Sequence, residues 1–226
     1  MLFPAGRPVV IVNYKIYNEA TGRRAVELTQ AIERAAEGTR AIVAVCPQTA
    51  DLQRVSAATR LIVLAQHVDA LPPGSGTGAT LVEAIKEAGA VGTLLNHAER
   101  RLQLADLAAC SARLHKAGLV RVICTDTVVT TRAAAALEPE FLAIEPPELI
   151  GGDVSVTRAD PAIVRDAVEA ARAVAPTVRV LCGAGVKTGD DLAAALKLGA
   201  GGVLLASGVV KAKDAGAAFK TLLAGL

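Results

Sequence analysis

The sequence predicts an α/β protein folded as a (β/α)8 TIM barrel, with eight parallel strands each followed by a helix, and three observations predict it. The chain of 226 residues is 52% hydrophobic but only 2% aromatic. Its interior must therefore be packed from Ala, Val, Leu and Ile, the residues that fill layered barrel cores. Eight short apolar runs alternate with Ala-rich amphipathic stretches. The runs are continuously apolar, which marks strands covered on both faces, as parallel strands under helices are. At this length one barrel spanning residues 1–226 is expected, and no linker or low-complexity stretch divides it.

Taken in order, the runs are Val9–Asn13, Ala41–Cys46, Leu61–Gln66, Gly92–Asn96, Val120–Thr125, Glu140–Glu145, Val178–Gly183 and Gly202–Ser207. Helical periodicity follows them, over Ala20–Glu37, Thr80–Ala88, Leu104–Ala117, Pro161–Val174, Asp190–Leu198 and Ala215–Leu223. Thr127–Leu137 is richer in β-branched residues, but its run of alanines favours a helix there too. Asp160-Pro161 reads as an N-cap followed by proline at the first helical position. Gly89, Gly118 and Gly199 read as left-handed helix endings.

Charge and cysteine usage narrow the class. The net charge is +2, with Lys and Arg dispersed along the chain, so a nucleic-acid partner is not expected. Cys46, Cys110, Cys124 and Cys182 form no C-x-x-C pair and no ligand spacing with His, and read as buried reduced thiols. Met1–Arg7 lacks the charged region and long apolar stretch of a secretory signal. No segment approaches the roughly 20 apolar residues of a membrane span, so no membrane partner is expected and the cytoplasm is the expected compartment.

In a barrel of this kind the chemistry sits at the carboxyl ends of the strands. Reading only those positions isolates a polar set: Asn13 and Lys15, Asn96 and His97, Glu145, and Gly-rich turns at Gly183–Gly185 and Ala206–Gly208. A carboxylate, an imidazole and an ammonium together suit proton transfer beside a carbonyl: one takes the carbon-bound proton, the others stabilise the developing enediolate. Gly-rich turns ahead of helices present backbone N–H groups to a phosphate. Glu145 closes an apolar run, so burial should lift its pKa towards that of a useful base. Asn96 with Glu99 reads as a capping box, placing His97 in the first turn of a helix. The loop Pro146–Ala159 reads as a functional or mobile segment.

Four segments in the expected order resemble triosephosphate isomerase in its short archaeal form: Asn13-Tyr14-Lys15, Asn96-His97-Ala98-Glu99-Arg100-Arg101, Glu145-Pro146-Pro147-Glu148-Leu149-Ile150-Gly151, and Cys182-Gly183-Ala184-Gly185-Val186. The chain departs from the commoner bacterial and eukaryotic form, which is longer and carries an aromatic residue where Pro147-Glu148-Leu149 stands here. The resemblance implies that Glu145 is the base, His97 a neutral electrophile and Lys15 the electrostatic stabiliser, while Asn13 positions substrate. A neutral histidine at a helix start is an effect this family itself illustrates, so it is inherited with the resemblance. Backbone near Ile150, Gly151, Gly183, Gly185, Ala206 and Ser207 would hold the phosphate. The resemblance further implies a phosphorylated triose as substrate, no metal or organic cofactor, and a closing lid over Pro146–Ala159. It also implies a homo-oligomer, with a tetramer favoured over a dimer and the Leu71–Gly78 loop at the dimer contact.

Two other readings stay open at this level. A pentose-phosphate epimerase would share the barrel and the phosphate turns but calls for paired acids and a metal, for which the strand ends offer no His/Asp cluster. A non-catalytic ligand-binding barrel would be expected to lose Lys15, His97 or Glu145, and all three are present.

Overall fold

The computed structural model describes residues 2–149 and 155–226. Its strands are β1 (Val9–Asn13), β2 (Ile42–Cys46), β3 (Ile62–Val63), β4 (Gly92–Leu95), β5 (Val120–Thr125), β6 (Phe141–Ile144), β7 (Arg179–Cys182) and β8 (Gly202–Leu205), each inside one of the eight apolar runs. All pair in parallel, in the order β3-β2-β1-β8-β7-β6-β5-β4. The ends of that row meet where Ala65 bridges Thr93. There the Ala65 N–H donates to Gly92 at 2.8 Å, and the Leu94 N–H donates to Ala65 at 2.9 Å. This seam closes the barrel. Just past it, the Gln66 side-chain amide turns to other carbonyls described below.

Around the barrel run α1 (Arg23–Ala35), α2 (Leu52–Ser56), α3 (Val82–Glu87), α4 (Leu104–Ala117), α5 (Val128–Ala135), α6 (Val156–Ala159), α7 (Pro161–Val174), α8 (Gly189–Lys197), α9 (Ser207–Val210) and α10 (Ala215–Leu223). The expected punctuation is present. The Asp160 carboxylate accepts from the Ala162 and Ile163 N–H groups, Pro161 opens α7, and α4 ends on Gly118 at φ 71°. α1 begins later than the periodicity from Ala20 indicates, because Asn18–Ala20 forms a separate 3-10 turn and Gly22 intervenes at φ 64°. Ala25, Leu28, Thr29 and Ile32 form its buried face, at the spacing that places side chains on one side of a helix.

Strand side chains alternate between two cores. Val9, Ile11, Leu94, Val122, Phe141, Ala143, Leu181 and Leu204 fill the barrel interior, while Val10, Val12, Ile123, Leu142, Ile144 and Val203 pack outward under the helices. Each fully buried Leu, Ile or Phe contributes about 1.5–3 kcal/mol, so both faces of every strand hold the ring in register. The four cysteines are buried free thiols. No helix among the described residues is long and apolar enough to cross a membrane.

Candidate active site

The carboxyl end of β1 delivers two groups to the mouth through an unusual backbone. Lys15 lies at φ 45°, a left-handed conformation that costs a β-substituted residue energy and persists only where its surroundings impose it. Here they do. The Asn13 carboxamide oxygen accepts the Lys15 N–H at 2.9 Å, and the Gln66 amide donates to the carbonyls of Lys15 and Cys46, each at 2.9 Å. Tyr14 between them is fully buried and ties its hydroxyl to Thr29 at 2.7 Å. The Lys15 ammonium is thereby aimed across the mouth, where it pairs with Glu99 at 2.9 Å.

The β4 end differs from the expected helix start. Asn96 is not an N-cap: it takes φ 58°, which asparagine tolerates, and its side chain spans the loop, donating to the Cys124 carbonyl at 3.0 Å and accepting from the Leu102 N–H at 2.9 Å. α4 begins only at Leu104, so His97 stands in an isolated turn and no helix start accounts for its protonation state. Burial and the neighbouring Lys15 charge do so instead, pulling its pKa down to about 4. The Glu99 N–H donates to His97 Nδ1 at 3.1 Å. That contact makes Nδ1 the acceptor, so the ring carries its proton on Nε2, the nitrogen facing Glu145.

Glu145 follows β6 and is 3% exposed. Its Oε1 lies 3.6 Å from His97 Nε2, too far for a hydrogen bond, and its Oε2 is buried without any partner. Desolvation pushes the carboxyl up to about 7, while the adjacent Cys124 thiol and Lys15 pull weakly the other way. Room for the side chain comes from the next strand. A Cβ on Gly183 would stand 2.4 Å from Glu145 Cγ, so glycine is required there for the carboxylate itself, beyond any role in binding phosphate.

Asn13, Lys15, His97, Glu145, Gly183, Gly185, Ala206 and Ser207 all line one cleft between the ends of β1, β4, β6, β7 and β8. Ser207 opens the short helix α9 at its floor. Ile150 and Gly151, with the centre of the expected lid, lie outside the described residues. The far end of that loop is bolted to the β7–α8 turn: Ser155 donates to Asp191 at 2.8 Å, Arg158 pairs with the same carboxylate at 3.1 Å, and the Val156 N–H reaches the Ala184 carbonyl.

Gln66, Tyr17 and Lys187 belong to none of the sequence motifs yet contribute to the site. Gln66 supports Lys15 from another strand, and its one sequence signal is a polar residue ending an apolar run, the same signal that marked Asn13. Tyr17, Val186 and Lys187 also line the cleft. His67 lies in an outer recess that shares Asn13, Lys15 and His97, and its ring bonds Asp69 at 2.9 Å. His115 is exposed on α4. Among the described residues no three His, Cys, Asp or Glu side chains converge as metal ligands would.

The model of the family described as triosephosphate isomerase matches residues 8–224. A triosephosphate isomerase of Methanosarcina acetivorans is 50% identical over 218 residues, covering 96% of this chain and 98% of its own length. One of Methanothermobacter thermautotrophicus is 51% identical over 205 residues, covering 91% of this chain and 90% of its own. The fold matches the crystal structure of the triosephosphate isomerase of Bartonella henselae with a TM-score of 0.75 over 96% of this chain and 97% of that one, at 21% identity. With a family model matching residues 8–224, relatives at half identity over nearly its whole length and the family's motifs converging on one cleft, the chain belongs to the triosephosphate isomerase family.

Proposed function

We propose that the chain interconverts dihydroxyacetone phosphate and D-glyceraldehyde 3-phosphate in glycolysis and gluconeogenesis, with Glu145, His97 and Lys15 as its catalytic groups. The observation that carries the assignment is a buried carboxylate with an unpartnered oxygen, held 3.6 Å from an imidazole whose Nε2–H faces it, beside an ammonium. In this reading Glu145 removes a proton from C1 of the ketose, leaving an enediolate whose charge sits on the C2 oxygen. The neutral imidazole and the Lys15 ammonium stabilise that oxygen. His97 passes the hydroxyl proton from the C1 oxygen to the C2 oxygen, and Glu145 returns its proton to C2, giving the aldehyde. No proton is gained or lost.

Asn13 keeps Lys15 in register, and the backbone at Gly183, Gly185, Ala206 and Ser207, with Ile150 and Gly151 from the lid, would hold the phosphate. Lid closure over Pro146–Ala159 would exclude water from the enediolate, a gating role for which this family is itself the usual illustration. We further read the enzyme as a cytoplasmic homo-oligomer, a tetramer in preference to a dimer. Ile16, 82% exposed beside Lys15, and the exposed loop Leu71–Gly78 support one contact, and Leu104 and Val129, exposed at the starts of α4 and α5, support another. A coupled assay for triose-phosphate interconversion with chelator present tests the assignment. Turnover that survives chelation is expected, and turnover lost to EDTA and restored by a divalent ion would overturn the mechanism.

A further inference from the structure

The opposite end of the barrel holds a cavity of about 640 Å³, where β1, β7 and β8 begin. Its size falls within the range of roughly 300–1,000 Å³ typical of small-molecule sites. Phe3, Pro8, Val168, Pro176 and Leu196 supply apolar wall, and Arg7, Arg172 and Arg179 supply three positive charges, with no Asp or Glu in the lining. The arginines are held by main-chain carbonyls. Arg7 donates to Arg40 and Ala41, Arg172 to Gly199, and Arg179 to Arg7 and Gly201. Such bonds orient the guanidinium groups without placing an opposite charge beside them, and Arg7 and Arg172 stand exposed at the cavity's edge.

Arg179 is the one of the three that is partly buried. Its guanidinium lies over the Phe141 ring at 5.3 Å, its Nη1 is buried with no hydrogen-bond partner, and burial holds its pKa below the ordinary guanidinium value. Among the described residues no carboxylate pairs with any of the three arginines. The fold treats another arginine near a strand start differently: Arg121, the second residue of β5, is clamped by the Glu140 carboxylate through its guanidinium and its own N–H. A partly desolvated charge without a counter-ion is costly unless something supplies one. Guanidinium groups match phosphate oxygens in geometry, and three of them suit a multiply charged anion better than a single carboxylate.

We propose that this cavity is a second ligand site, distinct from the catalytic cleft, that binds a small organic phosphate of nucleotide size. The phosphates compensate the arginines and the carbon body rests on Phe3, Pro8 and Pro176. ADP serves as probe in isothermal titration of the purified enzyme, with an equilibrated triose-phosphate mixture in cell and syringe to occupy the catalytic cleft. ADP binding is expected under those conditions, with adenosine at least about tenfold weaker. Arg172→Gln and Arg179→Met should each weaken ADP at least about tenfold while leaving turnover unchanged. If Arg179→Met lowers the melting temperature, Arg172→Gln alone decides. The site is overturned if ADP does not bind at millimolar concentration, if triose phosphate displaces it, if adenosine binds as tightly, or if Arg172→Gln leaves its affinity intact.

Discussion

Strand β6 is flanked by two glutamates with opposite fates. Glu140, just before it, accepts from the Arg121 N–H at 2.8 Å and from the Arg121 guanidinium at 2.9 and 3.1 Å, and these bonds outweigh burial to hold its pKa below the usual carboxylate value. Glu145, just after it, is more deeply buried, has a partnerless oxygen, and is pushed up to about 7. The same side chain is thus held as a paired carboxylate at one end of the barrel and left poised by desolvation at the other. A satisfied carboxylate stabilises the fold. An unsatisfied one costs stability and retains the capacity to take a proton.

The sharpest way to break this contrast is to remove both charges in turn. Glu145→Gln should lower kcat by about 10²–10⁴-fold, the usual contribution of a general base, whereas Glu140→Gln should leave kcat intact and cost about 2 kcal/mol by stranding part of the Arg121 guanidinium. Stability should move the other way in the first variant. Because the folded-state pKa of Glu145 lies above its ordinary 4.5, the wild type loses stability as pH rises from that value through about 7. Glu145→Gln should therefore match the wild type below pH 4.5 and exceed it by about 3 kcal/mol above pH 7, a difference that denaturant melts at several pH values would read.

Glu145→Asp, which withdraws the carboxylate by one methylene, should act on kcat far more than on KM, by about 100-fold. Gly183→Ala should approach the same loss from the neighbouring strand, since the new Cβ must push Glu145 aside. A crystal structure of that variant with Glu145 unmoved and full activity would dissociate the glycine from the base. A smaller effect, about tenfold in kcat, is expected of Gln66→Leu, which removes one of the two side-chain bonds holding the Lys15 backbone in its left-handed conformation without touching the ammonium.

The acidic limb of the kcat/KM profile should follow one group titrating near 7, falling about tenfold per pH unit below it. His97, depressed to about 4, should add no second limb between pH 5 and 7. Nitrogen NMR of His97 should find a neutral ring with its proton on Nε2 at pH 5.5, and an imidazolium signal there would remove the neutral electrophile from the mechanism.

Much of this was readable from residue order. The apolar runs located every strand, because burial on both faces leaves no alternation to misread, and the polar residues ending or just following those runs included Asn13, His97 and Glu145. What escaped depends on closure in three dimensions. Asn96 and Glu99 have the spelling of a capping box, yet ring closure brings Cys124 and Lys15 to them as partners. Gln66 acts on Lys15 from a distant strand, so no local pattern encodes the pairing. In the sequence Gly183 has only the mark of a turn, whereas the space it leaves belongs to the side chain of Glu145. The arginines of the lower cavity are dispersed in sequence and gather only because β1, β7 and β8 start side by side.

The seam between β3 and β4 carries a kinetic consequence. Closure here rests on the Ala65 bridge and the bonds beside it, and the β7–β8 register is likewise a single pair, Cys182 with Val203, whereas β1–β2 runs over five pairs. Local opening should start at such thin junctions, since sub-global unfolding begins where few interactions must break, and the β3–β4 one adjoins the catalytic groups. Gln66 lies one residue beyond the bridge on one side and His97 a few residues beyond it on the other, whereas Glu145 and the glycine turns belong to the ladders of β5 to β8. Heat would then part the imidazole and ammonium from the base while most of the barrel remains folded, so inactivation should precede the loss of helix signal.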